Sequence, residues 1–463
     1  MRKLKTIKNK KRFKVIRLCL VIILVGIIVI VCNKKWNVWF GNPVEPPYAS
    51  SNVPTRIQLT LGNSGQFSRN VRWQCGDTLA VSKLLIVQST ISDSAAMVSQ
   101  SMPFLPLIVQ GTISDTVAIS AKGKIFQTQG GVTVSYYAEL TDLTEGEYSY
   151  SVCTGDKQSD WYHFTVKPYS DKFRFVYIGD IQDTIGGTAG ETFASINQTT
   201  KDADLWILGG DVIERPHDQY WNEYFISMDS ISQTTPVIAC PGNHEYYKGI
   251  IGKLDERFIH TFSYLIDSRN GGHAVFDTRY GNVAIIMLDS NRDIWTLFSQ
   301  HRWFKKALLK SEDAQWKIVV LHHPVYSVRG KYNHLLIRRL FDPLMRKYGV
   351  DMVLQGHDHC YARMITKNNN NKLMTPVYLI SHFSPKDYRI KRDEKYDRFG
   401  NEMRFYQTVD IISDTLSLKT YIENGELYDH VCIVKSNGMA HIIDKAINIP
   451  IRFNTISSRN KKK

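Results

Sequence analysis

Five apolar segments of this chain run into turns that carry metal-type donors. FRFVYI (173–178) is followed by Gly179-Asp180-Ile181-Gln182-Asp183, LWIL (205–208) by Gly209-Gly210-Asp211, and PVIAC (236–240) by Pro241-Gly242-Asn243-His244-Glu245. WKIVVL (316–321) leads into His322-His323-Pro324, and VDMVL (350–354) into Gln355-Gly356-His357-Asp358-His359. Two Asp, one Asn and three His form a hard-to-borderline donor set that suits two divalent cations such as Mn, Zn, Fe or Mg. Taken singly, a Gly-Asp is an ordinary turn and a His before Pro an ordinary loop histidine. Five such turns in succession, each closing a buried apolar segment, make coincidence a poor account.

The elements that must position these groups follow from the pattern. Continuous apolar strands alternating with amphipathic stretches such as 296–310 and 335–348 predict an α/β layered domain with strands buried on both faces. Active sites of such folds gather where the strands end, and glycine lets the backbone turn sharply enough to aim the next side chain across the sheet edge. Residues 55–168 differ: short alternating strands (RIQLTL, NVRWQC, SKLLIV, VTVSYYAEL, YSYSVC, WYHFTV) predict an all-β sandwich, with Trp73 as a core plug and no cluster of titratable side chains. A linker with four prolines precedes it at 37–54. The catalytic domain is expected over 171–390, completed by a strand-rich segment at 391–451, with a basic, disordered tail at 452–463.

The order Gly-Asp, Gly-Asp, Gly-Asn-His-Glu, His-x-Pro, Gly-His-x-His resembles the calcineurin-like metallophosphoesterase superfamily, and is most similar to its purple acid phosphatase branch. The resemblance runs from about residue 172 to 390. It implies a two-sheet sandwich flanked by helices and preceded by a fibronectin-III-like sandwich. Carried over by residue, Asp211 bridges two metals; Asp180 and His359 hold the first, and Asn243, His322 and His357 the second. His322 rather than His323 is the implied ligand because the family's ligand lies two before the proline. His244 is implied as general acid to the leaving alkoxide or as a stabiliser of transition-state charge, beside a hydroxide that the metals generate from water near neutral pH and that attacks phosphorus in line. Arg363 and His323 are candidate phosphate-facing residues, and His382 is a further histidine that could face the substrate.

Two departures bear on the first metal. Gln182 stands where many relatives have a histidine, and Glu214 where the purple branch has the tyrosine that binds ferric iron. Gln182 through its carbonyl oxygen, Asp183, Glu214 or water could supply the fourth ligand.

Net charge gives no support to a nucleic-acid groove in the folded part and leaves only a local patch open. The chain carries +14 over 463 residues, yet residues 1–35 and 452–463 together contain sixteen basic residues and no acid, which leaves the body at about −2. Nine basic residues precede the apolar run LCLVIILVGIIVIVC (18–32), and Lys34, Lys35 and Trp36 follow it. Without an Ala-x-Ala-like cleavage site the run predicts an uncleaved anchor within residues 1–36, a signal sequence being the alternative. The positive-inside rule then leaves the amino terminus cytoplasmic and exports the remainder. Cys75 and Cys153 fall in the same β domain, and an oxidising compartment would permit their pairing without requiring it.

The expected function is an exported, membrane-anchored hydrolase of phosphomonoesters. Phosphodiester or nucleotide hydrolysis on the same scaffold is the nearest alternative. A surface binding protein whose turnover is impaired through Gln182 is the alternative of another class. The expected partners are a phosphate-ester substrate and the membrane, with no nucleic acid. The loops 184–199, 246–272 and 382–388 are expected to set substrate choice.

Overall fold

The computed structural model describes residues 2–453 apart from 63, 90–115, 169–171, 250, 263–273, 331–333, 369, 371, 389 and 391–392, and for residues 2–15, 18, 28 and 37–39 it describes the backbone alone. The carboxy-terminal tail beyond 453 and the 263–272 part of the expected specificity loops lie outside the described residues.

The chain divides into two units. The first comprises residues 1–44 and 247–253. Its main element is the helix Arg2–Phe40, in which the Cys19–Trp36 stretch is long and apolar enough to cross a membrane and has no buried side chain among the described residues. Length and composition fit a membrane span and a signal sequence equally. Asn42 exchanges two hydrogen bonds with the Lys248 backbone, donating from Nδ2 (2.9 Å) and accepting at Oδ1 (2.7 Å).

The second unit, 45–246 with 254–463, holds the sandwich and the α/β layers. The sandwich has one sheet of Thr55–Gly62, Gly65–Gln74, Val132–Leu140 and Lys122–Gln127, and a second of Val117–Ser120, Ser82–Ser89, Gly146–Thr154, Lys157–Gln158 and Tyr162–Val166. All their pairings are antiparallel, so one face of each sheet can be apolar. Trp73 fills the space between the sheets: it is fully buried, stacks on Tyr136 at 5.7 Å and donates its indole N–H to Thr154 Oγ1 at 2.9 Å. Cys75 and Cys153 are both buried and both free thiols, so the structure contains no bridge between them.

The α/β part is built on two seven-stranded sheets. The first runs Val237–Ala239, Leu205–Leu208, Lys172–Ile178, Phe405–Ile412, Thr415–Ile422, Leu427–Ser436, Met439–Asp444; its first three strands are parallel and the last four are antiparallel additions. The second runs Phe276–Tyr280, Val283–Leu288, Trp316–Leu321, Met352–Gln355, Leu373–Ile380, Tyr361–Lys367, Arg398–Gly400, with a parallel centre. Period-two alternation divides the second sheet between two cores. Ile318, Val320, Met352 and Leu354 pack toward the first sheet. Val319, Leu321 and Val353 pack with Phe304 and Phe341 of the outer helices Ile294–Lys310 and Leu335–Lys347. The first of these helices starts where Asp293 accepts the Trp295 and Thr296 amides at 3.0 and 3.1 Å. Its face of Leu297, Phe304, Ala307 and Leu308 is buried by the 3.6-residue repeat.

Sandwich and α/β layers are joined by polar ties as well as packing. Arg56 forms a bidentate pair with Asp218 (2.6 and 2.8 Å), and Tyr224 donates to Gln58 at 3.0 Å.

Candidate metal centre

Each donor turn sits at the carboxy end of a parallel strand. The first sheet supplies Asp180, Asp211 and Asn243, and the second supplies His322, His357 and His359. The backbone reaches these positions by unusual means. Asp180, Asp211, His357 and His359 all have positive φ, at 48°, 50°, 73° and 48°. That left-handed region is costly for residues with a Cβ and is kept where surrounding contacts over-determine it. Two glycines make room for the crowding. A Cβ at Gly242 would meet Asp211 Oδ1 at 2.1 Å, and one at Gly356 would meet Asp180 Oδ2 at 2.4 Å.

The donors form two groups that share Asp211. Asp180, Asp211 and His359 bring one ligand atom each within 4.8 Å of one another, as do Asp211, His322 and His357. His322 places Nδ1 on the Gly209 carbonyl (3.0 Å), so Nε2 faces inward, 3.3 Å from Asp211 Oδ2 and 3.2 Å from Asn243 Oδ1. Asn243 Oδ1 is also 2.9 Å from His357 Nδ1. On the other side His359 gives Nδ1 to the Lys386 carbonyl at 2.9 Å, which turns its Nε2 toward Asp180 Oδ1 at 3.8 Å. Backbone acceptors therefore select the inward nitrogen of both rings, the outer support that metal-binding histidines ordinarily have.

The set fits a cation on a further ground. Asp180 Oδ1 and Gln182 Oε1 are buried and accept no hydrogen bond, a costly arrangement for a carboxylate and an amide oxygen unless a positive charge stands before them. Gln182 is buried, with Nε2 3.4 Å from both Asp211 Oδ2 and His359 Nε2, so its amide lies within the Asp180 group. Of the other candidates for a fourth ligand, Asp183 accepts the Thr184 and Thr188 amides (2.7 and 3.0 Å), and Glu214 pairs with Lys386. Burial pushes Asp180 well above the usual carboxylate range, and Asp211 adds to the push. Asp211 goes the other way: His322 and then His244 outweigh its burial and hold its carboxyl far down. The same pairing with Asp211 carries His322 up to about 10 against burial.

His244 stands beside this centre, partly exposed, with Nδ1 2.6 Å from the Glu214 carbonyl and Nε2 3.9 Å from Asp211 Oδ2. His323 places Nδ1 3.0 Å from Ser290 Oγ and packs its ring 4.3 Å from that of His357. His382 is buried and stacks on His359 at 5.7 Å, so it lies behind the ligands.

Arg363 is not where a phosphate-facing role requires it. It is fully buried on Tyr361–Lys367, with Nε 2.6 Å from Asp429 and Nη2 2.6 Å from Asp444. Desolvation lowers its pKa, yet Asp429 outweighs that and raises it. Arg363 lies only four residues beyond His359 in the sequence, yet strand alternation sends its side chain to the carboxylates of Leu427–Ser436 and Met439–Asp444.

Three supporting groups had no role from sequence. Glu245 accepts amides from two of the three donor turns of the first sheet, those of Asp211 and Asn243; His334 packs its ring 5.2 Å from His357, and Lys386 spans Glu214 and His359. Glu245 was visible as the last residue of Gly-Asn-His-Glu; nothing in the local pattern marks the other two.

Residues 173–361 match the calcineurin-like phosphoesterase family. Among curated relatives, probable purple acid phosphatase 20 of Arabidopsis thaliana is 24% identical over 270 residues, covering 53% of this chain and 61% of the relative. Purple acid phosphatase 1 of Ipomoea batatas is 28% identical over 261 residues, covering 52% and 55%. The chain thus spans about half to three-fifths of the length of these relatives. Among solved structures, purple acid phosphatase PPD1 from yellow lupin (Lupinus luteus) seeds has a TM-score of 0.66 at 18% identity, covering 83% of this chain and 75% of its own. That likeness is one of fold.

Proposed function

With residues 173–361 forming a calcineurin-like phosphoesterase domain, we propose that the chain is a dinuclear-metal hydrolase of phosphomonoesters, held at a membrane by its amino-terminal helix with the catalytic domain exported. The observation that carries the reading is the pair of donor groups sharing Asp211, one completed by Asp180, His359 and Gln182 and the other by Asn243, His322 and His357. Two divalent cations bound there supply Lewis acidity that activates water and offsets charge on the phosphoryl oxygens.

The chain's own residues do the rest. Asp211 is held by the His244 amide at Oδ1 (2.8 Å), which leaves Oδ2 to the shared position. Asp180 is fixed by the His357 amide at Oδ2 (2.7 Å), which leaves Oδ1 inward. His244 donates from Nδ1 to the Glu214 carbonyl, so in the imidazolium form its Nε2 is the nitrogen that passes a proton to the leaving alkoxide, leaving the ring neutral. These fixed positions matter because phosphoryl transfer depends on positioning and charge more than on covalent steps.

The test is elemental analysis of the full chain, paired with p-nitrophenyl phosphate turnover and an Asp211→Asn control. Close to two metals per chain, and turnover reduced at least about 1,000-fold in the control, are expected, in line with loss of a group on which the charge stabilisation rests. One metal or none, with turnover no better than the control after Mn, Zn or Fe is added, would replace the hydrolase with a binding protein.

A further inference from the structure

Beside the paired centre, three imidazoles form a cluster of their own. The rings of His323, His334 and His357 lie 4.4, 4.3 and 5.2 Å apart by centroid, and one nitrogen of each falls within 4.8 Å of the others. They come from three segments: the turn after Trp316–Leu321, the residue before the helix Leu335–Lys347, and the turn after Met352–Gln355. Among the described residues no carboxylate belongs to the group. Three basic rings packed in this way repel one another once protonated. A neutral imidazole keeps a lone pair on one ring nitrogen, the group that binds a metal.

Which nitrogens are left follows from the contacts. His323 uses Nδ1 on Ser290 Oγ (3.0 Å), and Ser290 Oγ also accepts the His323 amide (2.9 Å), so the ring is held at two points with Nε2 remaining. His357 turns Nδ1 to Asn243 Oδ1 (2.9 Å) and His322 Nε2 (3.2 Å), with Nε2 remaining. His334 caps the helix Leu335–Lys347 without spending its side chain on a capping bond.

We propose that His323, His334 and His357 bind a further transition-metal ion of the zinc class, next to the paired centre and distinct from it. Three imidazoles with one open position are a common zinc geometry, and a set of three ring nitrogens suits zinc better than Mg or Ca, which prefer oxygen. His357 serves both places as a bridging ring: Nδ1 stays with the paired centre, and Nε2 gives its proton to solvent as the zinc–nitrogen bond forms. An ion seated there adds a bulky, hydrated group next to His357, so excess zinc inhibits turnover. Only this inhibition rests on the phosphomonoesterase reading; the binding does not.

The experiment is equilibrium dialysis of the full chain against increasing Zn²⁺, with total metal measured for wild type, His334→Ala, Asp211→Asn and the double variant. Wild type should take up one more zinc per chain than His334→Ala, and zinc inhibition should shift at least tenfold to higher concentration in that variant. Asp211→Asn should lose ions of the paired centre yet retain the zinc that His334→Ala removes. Equal zinc counts in wild type and His334→Ala would overturn the proposal, as would loss of that extra zinc in Asp211→Asn with His334 intact. Should His334→Ala fail to fold, cobalt titration of wild type serves instead: a tetrahedral absorption band for a third equivalent supports the cluster, and its absence overturns it. A chain with no phosphatase activity but the expected zinc difference would sink the functional reading and leave this one standing.

Discussion

The Glu245 carboxylate accepts the backbone amide of Asp211 at 2.9 Å, and so fastens one donor turn to another. The same group accepts amides from Gly242 (2.6 Å), Val212 (2.8 Å) and Ile213 (3.2 Å), all of it buried. Asp211 and Asn243 therefore share one fixed frame, although 32 residues separate them. Glu245→Gln keeps the shape but turns an NH₂ toward amide donors. It should cost about 2–4 kcal/mol, the loss of one or two charge-assisted bonds. Urea denaturation of the two proteins measures this, and a difference under about 0.5 kcal/mol would show that the frame holds without the carboxylate.

Gln182 tests the first metal position by itself. Its Oε1 is buried without a donor and its Nε2 lies 3.4 Å from His359 Nε2. Gln182→Leu removes that oxygen while keeping volume, and should weaken one of the two metals at least about 10–100-fold, the loss that removal of an outer-shell partner alone brings. Gln182→His should preserve occupancy. Elemental analysis at limiting metal reads both; two full equivalents in the Leu variant would exclude Gln182 as a ligand.

Arg363 provides the opposite kind of test. Its removal leaves Asp429 buried beside Tyr361 with its main counter-charge gone. Arg363→Met should lose about 3–5 kcal/mol of stability, as breaking a buried pair does. Inhibition by inorganic phosphate should stay within about threefold of wild type, since so exposed a quantity as phosphate affinity has no link to a sealed ion pair. An unchanged melting temperature with phosphate inhibition weakened tenfold would restore the phosphate-facing role.

His260 predicts a pH dependence. Its ring stacks on Phe126 of the sandwich at 4.5 Å, and burial, then Arg72 and Lys124, lower its pKa to about 3. The folded protein keeps the ring neutral while the unfolded chain protonates it below about 6.5. The unfolded state thus binds the extra proton, and this contribution to stability is complete above pH 6.5 and is lost as pH falls toward 3. The slope from this one group approaches about 1.4 kcal/mol per pH unit. His260→Phe should flatten denaturation midpoints across that window; an unaltered slope would mean that the ring titrates normally in the fold.

Much of this was legible because it repeats. Continuous apolar strands ending in Gly-Asp, Gly-Asn-His-Glu and Gly-His-Asp-His announced both the layers and the donor turns, and the α/β core needed only that pattern. What escaped was set by partners distant in sequence. Arg363 looked like part of the site by proximity to His359, and only the antiparallel addition of Leu427–Ser436 brings Asp429 beneath it. Lys386 carries no motif, yet its carbonyl orients His359 and its ammonium meets Glu214. His334 lies twelve residues beyond His322 along the chain, and the fold returns it to His357.

The first sheet contributes Asp180, Gln182, Asp211 and Asn243 and the second the three histidines, and neither holds a complete set. Ions seated there would act as a rivet through two plates: they could enter only after both sheets had docked, and would hold the docked state against sliding. Chelation should then leave the rate of assembly nearly untouched while hastening disassembly, so that metal governs how long the fold lasts more than how fast it forms.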